Sequence, residues 1–323
     1  MISGFKRNPE LEDREEGQFL RYVRRFFGKK IAVIAVTYIL IFYAAGIFAD
    51  LLPLPNPNQQ TLSLEARSQP PSGQHLLGTD RLGRDLLARV IYSARTTIIF
   101  TTAVIITGSL FIGLTLGLIA GYKGGWLDSI IMRVGETLSG IPTLFLLIAI
   151  SAAFRTYIND LGFWFEENTF FGESGPVFVD FLIIVGAVVP FAWIGASRIV
   201  RSQVLAIREQ EYILAAEAIA APTWRIIWKH IFPGVVPLFL VGLSASMAGI
   251  AGTEVALSWL GLGVDPPTSS FGTLLNEAGG IRTFSEFPHL LLAPAIPVIL
   301  FFFAWNLLGD SLVDLAEPRT IRA

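Results

Sequence analysis

Long apolar runs alternate with short polar connections along this chain. The first run, IAVIAVTYILIFYAAGIFADLL, covers Ile31 to Leu52. Later runs fall at Ile98–Tyr122, Gly140–Ala153, Phe181–Ile199, Val235–Leu262 and Leu290–Leu308. Most approach the ~20 residues that carry a helix across a hydrocarbon core. They are continuous rather than alternating with period two, which selects helices over strands, and a lipid-exposed backbone must satisfy its own hydrogen bonds. The pattern predicts an all-α integral membrane protein with six transmembrane helices. The third run is short, and its helix is expected to start earlier, near Arg133. The first run is longer than a signal-peptide core and is read as an uncleaved span.

The polar segments divide the chain. Residues 1–30 form a cytoplasmic N-terminal segment, 31–52 the first span, and 53–97 an outer loop. Residues 98–310 form a core of five spans with a cytoplasmic loop at 200–234, and 311–323 a cytoplasmic tail. Cations set this orientation. They crowd the first thirty residues and recur at Lys123, Arg133, Arg198, Arg201, Arg208, Arg225, Lys229, Arg319 and Arg322. Arg67, Arg81, Arg84, Arg89 and Arg95 run against the bias. Near them Leu82, Leu86, Leu87, Val90 and Ile91 recur at helical spacing, opposite Arg84, Asp85 and Arg89. That predicts an interfacial amphipathic helix whose arginines snorkel toward head groups. A substrate-handling role is the alternative.

Composition narrows the chemistry. The 323 residues are 53% hydrophobic and 15% charged, with a net charge of -2, so no nucleic-acid partner is expected. No cysteine is present, which excludes disulfides, thiolate metal sites and cysteine nucleophiles. His75, His230 and His289 lack metal-ligand spacing, so no metal site is predicted. No Gly-x-x-x-x-Gly-Lys-Ser/Thr loop exists to cradle a nucleotide phosphate.

One segment stands apart from the spans: EYILAAEAIAAPTWRIIWKHIFP, Glu211–Pro233. Alanines keep its first half narrow, and Pro222 suits the start of a second helix. There Trp224, Ile227, Trp228 and Ile231 form a stripe at i, i+3, i+4 and i+7. Pro233-Gly234 is expected to end this helix before the fifth span. Two such short helices need a partner surface, either the lipid or a groove on a soluble protein.

This segment resembles the EAA loop of binding-protein-dependent ATP-binding-cassette importers: Glu-Ala-Ala, three residues, Gly, then nine residues to Ile-x-Leu-Pro. Ala215, Ala216 and Pro233 match, whereas Leu214, Ala220, His230 and Phe232 depart. With alanine at 220 the turn is expected around Ala221-Pro222, because alanine resists positive φ. Further segments resemble the C-type permease of the dipeptide, oligopeptide and nickel importers: LLGTDRLGRDLLARVIYSAR, MRVGETLSGIPTLFLLIAI, ALSWLGLGVDPPTSSFGTLL and GDSLVDLAEPR. The resemblance runs from Leu76 to the C-terminus.

The resemblance implies a type I importer permease fold with both termini cytoplasmic, in the inner membrane of a prokaryote. The implied partners are a sister permease, two ATPase subunits and an extracytoplasmic solute-binding protein. No cofactor is implied on this chain; ATP and Mg would sit on the ATPases. The implied solute is a peptide; nickel chelates, glutathione and oligosaccharides are family alternatives. The loop would serve as the coupling helix, with Leu214, Ala215, Ala216, Glu217, Ala220, Pro222, Trp224, Arg225, Trp228 and Pro233 as contact or packing residues. Rival readings are an ion-driven carrier, whose repeats and charge clusters are not seen here, and a membrane scaffold.

Few candidates lie along a path or gate: Glu136, Pro142, Met247 and Glu254. A carboxylate in a span is costly, so Glu254 is expected either to face a water-filled path or to bond a nearby serine or the sister subunit. Pro142, Pro190, Pro294 and Pro297 are expected to bend helices, and Gly242, Gly249 and Gly252 to offer small packing faces. Trp259, Phe271 and Trp305 fit an aromatic belt. The acidic, aromatic stretch Thr156–Phe181, with Phe163, Trp164, Phe165, Phe170 and Phe171, fits the outer leaflet or the docking of a binding protein.

Overall fold

The computed structural model describes residues 26–61, 63–169, 172, 175–264 and 266–316. Phe170, Phe171, most of the N-terminal segment and the end of the tail lie outside them. Among the described residues all regular structure is helical: α1 Lys30–Ile47, α2 Leu86–Lys123, α3 Gly125–Ser139, α4 Thr143–Asn168, α5 Gly175–Arg208, α6 Glu211–Ala218, α7 Thr223–Trp259, α8 Phe271–Glu277, α9 Ile281–Glu286 and α10 Pro288–Ala316. Five of these, α1, α2, α5, α7 and α10, are long and apolar enough to cross a membrane.

The third expected span is a broken one. α3 and the start of α4 meet at an angle of 80°. The break is Gly140-Ile141-Pro142, where the proline lacks an N–H and disfavours helical backbone in the residue before it. A sixth crossing therefore exists only if α3 and α4 together count as one.

Among the described residues, the amphipathic helix expected in the outer loop is the start of α2 rather than a separate element. Asp85 caps α2, its side chain accepting from the Ala88 N–H at 2.8 Å, and α2 then runs unbroken into the span. Its 38 residues extend to about 57 Å, well beyond a ~30 Å hydrocarbon core. The first turns are buried inside the protein rather than laid on lipid.

α2 and α5 pack through glycine. A Cβ at Gly108, Gly113, Gly117 or Gly121 would come within 2.8 Å of Ala192, Ala196, Val200 or Val204, respectively. The α5 partners repeat every four residues, while the first glycine interval is five. A π turn over Ile105–Gly113 absorbs the extra residue and keeps the four glycines on one face. Of the glycines expected to pack, Gly242 does meet Ile199, whereas Gly249 faces open space and Gly252 makes only ordinary contact.

α1 packs on α10, where the Tyr38 hydroxyl donates to the Pro297 carbonyl at 2.6 Å. Phe271 belongs to this core, not to an aromatic belt: it is fully buried and stacks on Phe42 at 6.0 Å. Trp305 likewise packs against Tyr43 and Phe301, while Trp259 is half exposed.

Candidate functional site

The turn between α5 and α7 is built on a buried base. Ile213 and Ala216 of α6 and Ile226 and Ile231 of α7 are buried with Leu114, Leu118, Val200 and Val204. Three polar ties fix this base to the end of α2 and to α3. The Tyr122 hydroxyl donates to Glu217 Oε1 at 3.1 Å, and Arg208 donates to the Gly121 carbonyl at 2.9 Å. Arg201 grips Asp128 with both arms of its guanidinium, a bidentate pair suited to a half-buried site.

Two expectations about the chain path are corrected here. Ala220 itself makes the turn, at φ 56°. The Ala220 N–H bonds the Glu217 carbonyl and the Ala221 N–H bonds the Ala216 carbonyl, the paired bonds of a Schellman cap. These bonds offset the steric cost of left-handed alanine, roughly 1–2 kcal/mol. The second helix does not stop at Pro233-Gly234 either. It is the first part of α7, with Pro222 at its N-cap, and continues to Trp259.

The apolar stripe is also shifted. A π turn over Ile226–Ile231 sets the buried positions five apart, so Ile226 and Ile231 face the base. Trp224 and Trp228, expected on the same stripe as Ile231, instead face outward at 64% and 54% exposure. Ile219 is 81% exposed beside them, with Tyr212 and Leu214 half exposed. Arg225 stands 5.9 Å over the Trp224 ring. Ala215, Glu217, Pro222 and Pro233 are exposed, and Ala216 is buried. The result is a turn whose base is sealed and tied to α2, and whose outer face sets Ile219, Trp224 and Trp228 among the charged side chains of Glu217, Arg225 and Lys229.

The path candidates are not gathered into one site. Glu136 is exposed on α3 and pairs with Arg133 at 3.3 Å. Pro142 is exposed at the α3–α4 break, and Met247 packs half-buried against Ile250 and its neighbours. Glu254 faces no open surface of the subunit. It accepts from Thr97 and Ser258, both at 2.9 Å, joining α7 to α2 from a fully buried position. A buried carboxylate persists when its oxygens are so bonded. The nearby serine foreseen as the alternative is its partner.

At the opposite end of α2 a charged cluster replaces the expected snorkelling arginines. Arg84 and Arg89 are buried, the latter 2% exposed. Arg89 donates to Asp80 at 2.6 Å and to Glu277 at 2.5 Å; Arg84 donates to Asp80 at 2.6 Å and to Glu277 at 3.1 Å. The Asp80–Arg84 spacing was visible along the chain, but Glu277 lies 188 residues beyond Arg89, and no local pattern pointed to it. Four charges so paired clamp the loop before α2 to α8.

Comparison with known proteins places this architecture. Residues 113–322 match the family described as the binding-protein-dependent transport system inner membrane component. Residues 18–71 match the N-terminal TM domain of oligopeptide transport permease C. The chain is 34% identical over 313 residues to the oligopeptide transport system permease protein OppC of Haemophilus influenzae, covering 96% of this chain and 91% of that one. It is 32% identical to the glutathione transport system permease protein GsiD of Pectobacterium atrosepticum, covering 92% and 89%. It is also 32% identical to OppC of Bacillus subtilis, covering 91% and 88%. With most of its length inside these matches, the chain belongs to the family of binding-protein-dependent transport system inner membrane components.

Proposed function

We propose that this chain is the permease subunit of an ATP-driven importer of peptides, forming half of the translocation path with a sister permease. In this reading both termini and the α5–α7 turn face the cytoplasm, and a solute-binding protein delivers the peptide from the other side. The turn seats in a groove of an ATPase subunit and carries its movement to α5 and α7.

One observation carries the coupling role. Ile219, Trp224 and Trp228 are exposed on a turn whose base is pinned to α2 by Tyr122–Glu217 and Arg208–Gly121. An apolar face held this rigidly on a polar loop suits a protein groove, and its stiffness would pass displacement to the spans rather than absorb it. Coupling requires the ATPase to contact the turn differently in its two states.

The solute class rests on the relatives. Oligopeptide and glutathione permeases are both among them, and glutathione is itself a small peptide. Because the chain lacks cysteine, Trp224→Cys supplies a unique attachment point. The reading predicts that a thiol cross-linker joins this position to the partner ATPase, and that ATP changes the yield. A Trp224→Cys chain labelled only from the extracytoplasmic side would overturn it.

A further inference from the structure

We propose that the end of the bundle remote from the α5–α7 turn holds an anionic phospholipid, its acyl chain in a groove beside α10 and its phosphate among Arg67, Arg81 and Arg282. The groove is a cavity of ≈ 720 Å³, within the range of specific small-molecule sites. Its wall is the start of α10, with Leu292 and Ile296, and the loop residues Pro70, Pro71 and Leu77 close it. Leu292 and Ile296 belong to a helix long and apolar enough to span, so the groove lies against a segment that acyl chains would border.

Its polar end is what selects the occupant. A second cavity of ≈ 360 Å³ shares Glu286 and Phe287 with the first and is lined by Arg67, Arg81 and Arg282. Arg81 donates to Thr283 at 2.5 Å and to the Gly279 carbonyl at 3.4 Å through one nitrogen. Arg282 pairs with Glu286 at 3.0 Å through Nε. Each guanidinium has five N–H groups, so both retain donors for a phosphate. Three cations against one carboxylate leave the cavity net positive. Charge at one end and hydrocarbon at the other is the chemistry of an anionic lipid. A soluble peptide partner would not need the apolar arm to lie against a spanning helix.

The experiment uses the full chain, assembled with its transport partners, in nanodiscs containing phosphatidylglycerol that carries a photoactivatable acyl chain. Cross-links are expected to concentrate on the peptide bearing Leu292 and Ile296. Excess unlabelled phosphatidylglycerol should suppress them several-fold more than phosphatidylcholine does. The triple variant Arg67→Gln, Arg81→Gln, Arg282→Gln should lower labelling at least threefold. Should that variant fail to assemble, Ile296→Trp, which fills the groove and keeps the arginines, should do the same. Labelling spread evenly over all spans, insensitivity to both variants, or labelling of the chain alone that disappears in the assembled complex would each overturn the proposal. The last result would show that protein, not lipid, covers this face.

Discussion

The two ends of α2 manage their surfaces in opposite ways. At its start, the loop and α8 bring four charges together, three of them buried and Glu277 partly exposed; Asp80, Arg84, Arg89 and Glu277 pair with one another within this chain. At its finish, Tyr122 and Gly121 pin a turn that buries Ile213 and Ile226 yet leaves Ile219, Trp224 and Trp228 uncovered. One end is closed on itself, and the other leaves Ile219, Trp224 and Trp228 open, where the proposed ATPase contact would fall. The difference separates residues that maintain the subunit from residues that connect it.

The largest effect is expected from the closed end. Arg89→Met would leave Asp80 and Glu277 to share Arg84 alone, and removing one partner of the buried Arg89–Asp80 pair costs up to about 3–5 kcal/mol. Thermal unfolding of the purified chain in detergent should show a marked loss. A small shift would mean that water already screens this cluster.

Next comes the seam that ties the two ends. A Cβ at Gly117 would stand 2.6 Å from the Val200 Cβ, so Gly117→Leu should destabilise by about 1–3 kcal/mol or more. Gly249→Ala, which meets nothing within 4 Å in this chain, should stay within about 0.5 kcal/mol. Equal losses from both would place Gly249 at a contact with another subunit.

The open end should respond in the opposite sense. Ile219→Asp combined with Trp224→Ala is expected to leave unfolding within about 0.5 kcal/mol of the parent. Recovery of the ATPase in pull-down should nevertheless fall about tenfold, equivalent to about 1.4 kcal/mol of binding. Loss of stability alongside loss of binding would erase the contrast between the ends.

Two smaller effects refine the picture. Ala220→Gly should stabilise the turn by about 1 kcal/mol, since glycine adopts left-handed backbone freely. A destabilised Ala220→Gly variant would argue against the Schellman cap. Finally, Arg95 and Tyr92 donate to Asp50, and these bonds hold its carboxyl below the usual range. Because the folded-state value is depressed, this contribution is full above the unfolded value of about pH 4 and fades as pH falls through the folded one. Asp50→Asn should therefore be slightly less stable than the parent at neutral pH, and the difference should vanish as pH falls through the folded-state value.

The chain announced some of this itself. Five of the six continuous apolar runs lie in helices long enough to span, and the residue types of the Glu211–Pro233 segment marked a turn distinct from the spans. The glycine seam was missed in favour of Gly242, Gly249 and Gly252, although Gly108, Gly113, Gly117 and Gly121 lie in one stretch. It was obscured because one five-residue interval breaks the four-residue rhythm, and only a π turn restores it. The same kind of turn at Ile226–Ile231 moved Trp224 and Trp228 to the outer face, against the simple 3.6-residue reading.

By itself, then, the order of residues determined five apolar helices long enough to span and set one amphipathic segment apart from them, because hydrophobic length and local spacing are properties of a single stretch. Tertiary structure alone decided where the charges went. Glu254 lies against Thr97, and Arg89 against Glu277; each pair is more than 150 residues apart, so the desolvation that would forbid these groups is relieved by a partner no local pattern can name.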